Sequence, residues 1–296
     1  MIVSIDFKNF KHQHMSNLNQ QISQIFKAAC IAELEALKPG NVHIFADGHG
    51  MTIHDFMKSA EAVSVVIAQP DLSLGQRILT SVQATQKAVA CNTNLGIILL
   101  CAPLIHAVLT VTKGCLQQRL QQVLQETTIS DAQYTFDAIA LANPAGLGAT
   151  AQHDVHQSAE CTLQQAMQAA AGRDLIAMQY ANHFEAIFKL SLPILEQANN
   201  AEMNNPWLTT KLYLTLLSTF PDSHIARKYG AKVAAEIQLQ AKDHLTMFNL
   251  SENPKRYQRK LLDWDSQLKQ QGINPGTSAD LTVASLFAHE LSKCIR

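Results

Sequence analysis

Residues 37–55 read LKPGNVHIFADGHGMTIHD, with three His, two Asp, one Lys, three Gly and one Pro in nineteen positions. On either side, over Leu18–Leu37 and His54–Ala68, apolar residues recur every three or four positions, which predicts helices. A plain helix-to-helix connection needs only a few turn residues. The stretch is therefore read as a loop that carries chemistry, set into a helical framework.

Working outward, the same spacing predicts helices over Leu74–Ala90, Thr93–Val111, Cys115–Gln125, Ile129–Ala142, Thr162–Met178, Tyr180–Ala198, Asn205–Phe220, Ile225–Lys242, Pro254–Gln271 and Ser278–Cys294. Thr52, and Thr128 or Ser130, stand where N-caps belong, and Gly40, Gly114, Gly146, Gly230 and Gly272 punctuate the periodic segments. No Ser/Pro-rich linker, charge block or internal repeat divides the chain. The expected fold is all-α: a single compact multi-helix domain over 18–296 after an N-terminal extension at 1–17, with polar interhelical loops converging on one pocket.

A chain of 296 residues buries a sizeable core without staples. A net charge of −1 with 16% charged residues removes any global electrostatic reason to expect nucleic acid or an anionic membrane as partner. No apolar run reaches the roughly 18 residues of a membrane span, and residues 1–10 do not read as a secretion signal, so a soluble, cytoplasmic protein is expected. Six cysteines without a CxxC pair read as reduced, mostly buried thiols. Apolar segments such as Leu208–Leu217 suit either core or a homodimer interface.

Five junctions concentrate polar and special-backbone residues: 38–55, CNTNLG at 91–96, NPAGLGATAQHDVH at 143–156, FPDSHIARKYG at 220–230 and INPGTSADL at 273–281. In the first, Lys38 either meets the last carbonyls of the preceding helix or joins amides near Gly40 in holding phosphate. In the latter case the carboxylates Glu33, Asp47 and Asp55 would hold Mg²⁺ on a polyphosphate. His43, His49 and His54 lack the i, i+4 spacing of a helical zinc pair. Asn92 or Thr93 either caps a buried helix or stands beside free amides that accept phosphate. Gly146-Leu147-Gly148 lacks the strand–turn–helix context of a dinucleotide fingerprint. Asp222 is a natural N-cap, Arg227 can fork onto phosphate, and Ser278 or Thr277 can cap the last helix. Together the five suggest one shared polyphosphate and metal pocket.

In order along the chain, Glu33-x4-Lys38-Pro39-Gly40-Asn41-Val42, Asp47, Asp55-Phe56-x2-Ser59-Ala60, Asn92-Thr93-Asn94-Leu95-Gly96, Asp222-x-His224-x2-Arg227 and Asn274-Pro275-Gly276-Thr277-Ser278-Ala279-Asp280-Leu281 resemble the triphosphoribosyl-dephospho-CoA synthase family. That resemblance implies an all-α pentosyltransferase acting on small-molecule nucleotides. It would use ATP as a substrate, with Mg²⁺, joining its ribose to a hydroxyl of 3′-dephospho-CoA and expelling adenine. Carried over residue by residue, Lys38 and Arg227 become phosphate ligands. Glu33, Asp47, Asp222 and Asp280 become metal or general-base candidates. Asn41, Asn92, Thr93, Asn94 and Ser278 would orient the triphosphate and ribose, with Gly40 and His224 beside them. Because Lys38 and Asp47 lie in a polar loop, Lys38→Ala and Asp47→Asn are expected to cost activity with little change in thermal midpoint.

The chain also departs from the pattern. Where the citrate-lyase type reads Asn-Thr-His-Lys-Gly, this chain has Asn92-Thr93-Asn94-Leu95-Gly96, without the cation. Gly146-Leu147-Gly148 and His153-Asp154-Val155 resemble a branch associated with one-carbon cofactor pathways, where the acceptor differs. A ligase or kinase acting on another acceptor, and a helical protein that binds nucleotide without turnover, stand as the alternatives.

Overall fold

A computed structural model describes residues 7–144, 154–198 and 205–295, with side chains from Asn17 onward. The described residues form α-helices linked by turns, and no strand beyond the isolated bridges His43–Ala46 and Gly48–Met51. In chain order these are α1 (Phe7–Leu34), α2 (Ile53–Ile67), α3 (Leu74–Val89), α4 (Leu95–Thr110), α5 (Leu116–Gln125), α6 (Ile129–Ala142), α7 (Leu163–Ala170) and α8 (Leu175–Ala181). A π-helical turn at Ala186–Ser191 leads into α9 (Leu192–Gln197). After it come α10 (Pro206–Thr219), α11 (Ser223–Tyr229), α12 (Ala231–Leu250), α13 (Pro254–Gln270) and α14 (Gly276–Lys293). The expected all-α class holds. Helical backbone reaches back to Phe7, into the stretch read as an extension.

The main core draws on α1–α10 and α14. The stripe Ile22, Phe26, Ala29, Cys30, Leu34 of α1 is buried at helical spacing, and Glu33 falls on it. The apolar helix α4 is buried over almost its whole length, and α14 packs against both α1 and α4. A second cluster, with Tyr213, Leu217, Ile225, Ile237, Trp264 and Leu268, joins α10–α13. Helix α10 belongs to both, giving Leu212 and Leu216 to the first cluster and Tyr213, Leu214 and Leu217 to the second.

Three predicted helices are divided. Thr162–Met178 breaks before Asp174, whose carboxylate accepts from the amides of Ile176 (2.9 Å) and Ala177 (3.0 Å) to open α8; side-chain capping outcompetes continuation there. Tyr180–Ala198 is interrupted by His183 (φ 57°) and Phe184 (φ 62°). Buried Gln179 holds that turn, its carbonyl accepting from Phe184 N (2.7 Å) and its side chain from Ala186 N (3.1 Å). Ile225–Lys242 breaks at Gly230, which adopts φ 90°. Thr52 and Thr128 do cap α2 and α6 through reciprocal bonds with Asp55 and Asp131. Ser278, read as a cap, lies inside α14, which opens after Pro275.

Candidate active site

All five polar junctions contribute residues to the wall of one cavity of about 520 Å³. Its wall includes Glu33 and Asn41 from the α1–α2 region, Asn92, Thr93 and Asn94 before α4, Asp174 before α8, His224, Arg227 and Lys228 of α11, and Asp280 of α14. Phe136, Ile139, Leu163, Met167 and Ile176 contribute apolar surface. Of the 143–156 junction, Asn143, Pro144, Asp154 and Val155 are on the wall; Gly146, Leu147, Gly148 and His153 lie outside the described residues.

The first junction is built to be rigid. Buried Asp265 of α13 accepts from Gly40 N (2.8 Å) and approaches His43 Nε2 (3.3 Å) and Lys269 Nζ (3.1 Å). Asn41 donates to Asn274 (2.8 Å), and Tyr213 donates its hydroxyl to the Pro39 carbonyl (2.7 Å). Gly40 takes φ 85°, and a Cβ there would stand 2.8 Å from Pro275 Cδ. Gly40→Ala combines left-handed strain with overpacking and is expected to cost about 2–4 kcal/mol, read as a lower midpoint in chemical denaturation.

Lys38 is completely buried and absent from the cavity wall. Its ammonium lies 3.1 Å from Glu33 Oε1 and donates to the Val42 carbonyl at 2.5 Å. Burial pushes the Glu33 carboxyl up and the Lys38 ammonium down, each partly opposed by the other's charge. Glu33 lines the cavity and Lys38 stands behind it.

Asp47 and Asp55 serve the start of α2 instead of the wall. Asp47 accepts from Ile53 N (2.9 Å), and Asp55 accepts from Thr52 N (2.9 Å) and Thr52 Oγ1 (2.8 Å). The metal trio Glu33, Asp47 and Asp55 is therefore not assembled, and no three His, Cys, Asp or Glu groups converge as metal ligands among the described residues. Asp222 is buried with both oxygens in use. One accepts from His224 N (2.9 Å) and Ile225 N (3.2 Å), the other from Ser278 N (2.8 Å) and Ser278 Oγ (2.9 Å). It clamps α11 to α14 and, like Gly40 and Ser278, does not line the cavity.

Around the entrance to α4, Asn92 Oδ1 accepts from Leu95 N (3.1 Å), Thr93 donates to Ser59 Oγ (2.7 Å), and Asn94 Oδ1 accepts from Thr85 (2.8 Å). Asn94 Nδ2 is buried without a partner among the described residues. On α11, Arg227 pairs with Asp174, and its Nε is a second buried donor without a partner among the described residues. Burial, with Arg227 and Lys228 nearby, brings the His224 imidazole down to about 4, so it is neutral at pH 7. Asp280 faces the cavity with no hydrogen bond among the described residues. Burial and the neighbouring Asp222 and Glu33 charges push its carboxyl well above the ordinary 3.8.

Asp174, Arg173 and Lys228 are wall residues that the sequence reading missed. A Gly172 breaker followed by Asp174 at an N-cap position was the available signal for the first. For Lys228 it was its place in the 220–230 junction beside Arg227; for Arg173 there was none, since an isolated cation in a predicted helix reads as solvated surface.

The arrangement brings carboxyls, cations, neutral hydrogen-bonding groups and an apolar wall to one cavity, as a polar group transfer between two organic substrates requires. Among curated proteins no relative matches the chain. A solved structure from Archaeoglobus fulgidus, described as a candidate triphosphoribosyl-dephospho-CoA synthase, shares the fold with a TM-score of 0.59 and 22% identity, over 80% of this chain and 97% of its own. The family model of the ATP:dephospho-CoA triphosphoribosyl transferases matches residues 19–296, and the chain belongs to that family.

Proposed function

We propose that this cavity transfers the triphosphoribosyl group of ATP to a hydroxyl of 3′-dephospho-CoA. The observation that carries the reading is the meeting of two acidic side chains, Glu33 and Asp280, with the cations Arg173, Arg227 and Lys228 on one cavity wall. Arg227 and its neighbours take the triphosphate, for which a guanidinium fork is suited. Neutral His224, Asn92 and Asn94 offer hydrogen bonds to ribose and phosphate oxygens.

Two carboxyls whose proton affinities are both raised by burial, with the Glu33 charge adding to that of Asp280, divide acid and base roles between them. Asp280 carries a proton and donates it to adenine as the C1–N bond breaks. Glu33, beside Lys38, accepts the proton of the attacking hydroxyl as the new C1–O bond forms. Adenine leaves with the proton from Asp280, and the atoms balance.

Magnesium enters as part of the substrate, carried on the triphosphate, because it keeps several waters and needs only one or two protein carboxylates. Asp174 Oδ1 is held by the amides of Ile176 and Ala177, so only its Oδ2, on the wall and now paired with Arg227, would meet the ion, in exchange for that pairing, and the ion would neutralise triphosphate charge. Removing Mg²⁺ with a chelator is expected to stop adenine release, and adding it back to restore it.

The test of the reaction is product analysis after incubation with ATP, Mg²⁺ and dephospho-CoA. Free adenine and a triphosphoribosylated acceptor are expected; ADP or AMP in their place would sink the reading. Leu95 stands on the wall where the citrate-lyase type carries a cation, so a panel of alternative hydroxyl acceptors belongs in the same assay. Turnover of another acceptor alone would favour a related transferase.

A further inference from the structure

Gly96 lies in the first turn of α4, on the cavity wall. Its backbone is not in the left-handed region, so its conformation does not call for glycine. A glycine inside a helix costs about 1 kcal/mol relative to alanine. What calls for it is space. A Cβ at position 96 would stand 2.0 Å from Asp280 Oδ2 and 2.5 Å from Asp280 Cγ, far inside contact distance. The remaining neighbour, Ile176 Cδ1 at 2.8 Å, is the movable end of a side chain. The Asp280 carboxyl thus occupies the volume that any other residue at 96 would fill. It is held there from behind as well, because Asp222 pins Ser278 one half-turn earlier in α14.

We propose that Gly96 is a positioning residue for the transfer: its bare Cα is the seat that fixes the Asp280 carboxyl against the first turn of α4 at the cavity wall. The proposal rests on the reading that Asp280 protonates the departing adenine. A methyl group at 96 would displace the carboxyl from the reacting atoms while leaving the cations of α11 where they are. The effect should therefore fall on turnover more than on ATP binding.

The experiment is a double-mutant cycle of Gly96→Ala, Asp280→Ala and the double variant. It reads kcat for adenine release, ATP affinity by calorimetry, and thermal midpoint. Gly96→Ala is expected to lose about 10²-fold in kcat, the lower end of an acid–base contribution, with ATP affinity changed less than about threefold. In the Asp280→Ala background the same substitution is expected to cost nothing further in kcat and to leave the midpoint unchanged or raised, because the obstructed carboxyl is gone and neighbouring sites couple. Equal losses in both backgrounds would overturn the seat. Wild-type turnover by Asp280→Ala would instead overturn the reading of Asp280 and the proposal with it. If Gly96→Ala is too unstable to assay, recovery of the midpoint in the double variant supports the pairing, and lack of recovery overturns it.

Discussion

Asp280→Asn is expected to slow adenine release by about 10²–10⁴-fold, the usual reach of a general acid, while the folded state becomes more stable near neutral pH. The substitution is nearly isosteric and no hydrogen bond is lost, since none engages this carboxyl among the described residues. Burial raises its proton affinity most, Asp222, Glu33 and Asp174 add to it, and Arg227 opposes. The folded chain therefore holds this proton to higher pH than the unfolded chain does. Stability falls as pH rises from the ordinary value of 3.8 toward the raised folded-state one, because the unfolded state binds fewer protons across that window. The amide removes that penalty. Catalysis follows the same proton: activity declines as pH rises through the folded-state value, and this limb should be missing from whatever rate the variant retains. Initial rates and thermal unfolding over a pH series check both statements. An Asn variant with the wild-type rate, or with a lower midpoint at pH 7, would refute them.

Lys38→Met is expected to fail in a way the loop position does not suggest. Read from sequence, Lys38 lies in a polar loop and its loss should spare the fold. In the structure it is completely buried against Glu33. Removing one partner of a buried ion pair strands the other and costs about 3–5 kcal/mol, on the order of ten degrees in midpoint for a chain of this size. Turnover should fall because Glu33 on the wall loses its support, and ATP affinity should change less than turnover because Lys38 is not on the wall. The double variant Lys38→Met/Glu33→Leu should regain much of the stability and none of the activity. Arg227→Ala is the contrast, expected to weaken ATP binding. An unchanged midpoint with a large loss of ATP affinity in Lys38→Met would restore Lys38 as a phosphate ligand. Asp47→Asn is not expected to behave as an active-site change either, because Asp47 spends its carboxylate on Ile53 N outside the cavity wall.

The helical class was legible because burial on α1, α3 and α5 follows the three- and four-residue spacing visible in the chain. Boundaries were legible wherever a local cap set them, as at Thr52 and Thr128. They were missed where buried Gln179 stabilises a turn, because that depends on a residue's surroundings and not on its neighbours in sequence. The wall residues Glu33, Asn41, Asn92, Thr93, Asn94, His224, Arg227 and Asp280 were all among the candidates, since loops rich in polar and special-backbone residues mark where a helical framework departs from packing. Asp174, Arg173 and Lys228 were not, because only their spatial meeting makes them a group.

The sequence by itself determined the all-α class, the set of junctions and the chemical types available there, because periodicity, capping and side-chain chemistry are local. Which carboxylates face the cavity was decided only by the tertiary structure. Asp47, Asp55, Asp222 and Asp265 carry the same group as Asp280, yet each is consumed by backbone or side-chain donors brought to it by packing. Asp280 is left facing the cavity, its carboxyl lying over the bare Cα of Gly96 in α4.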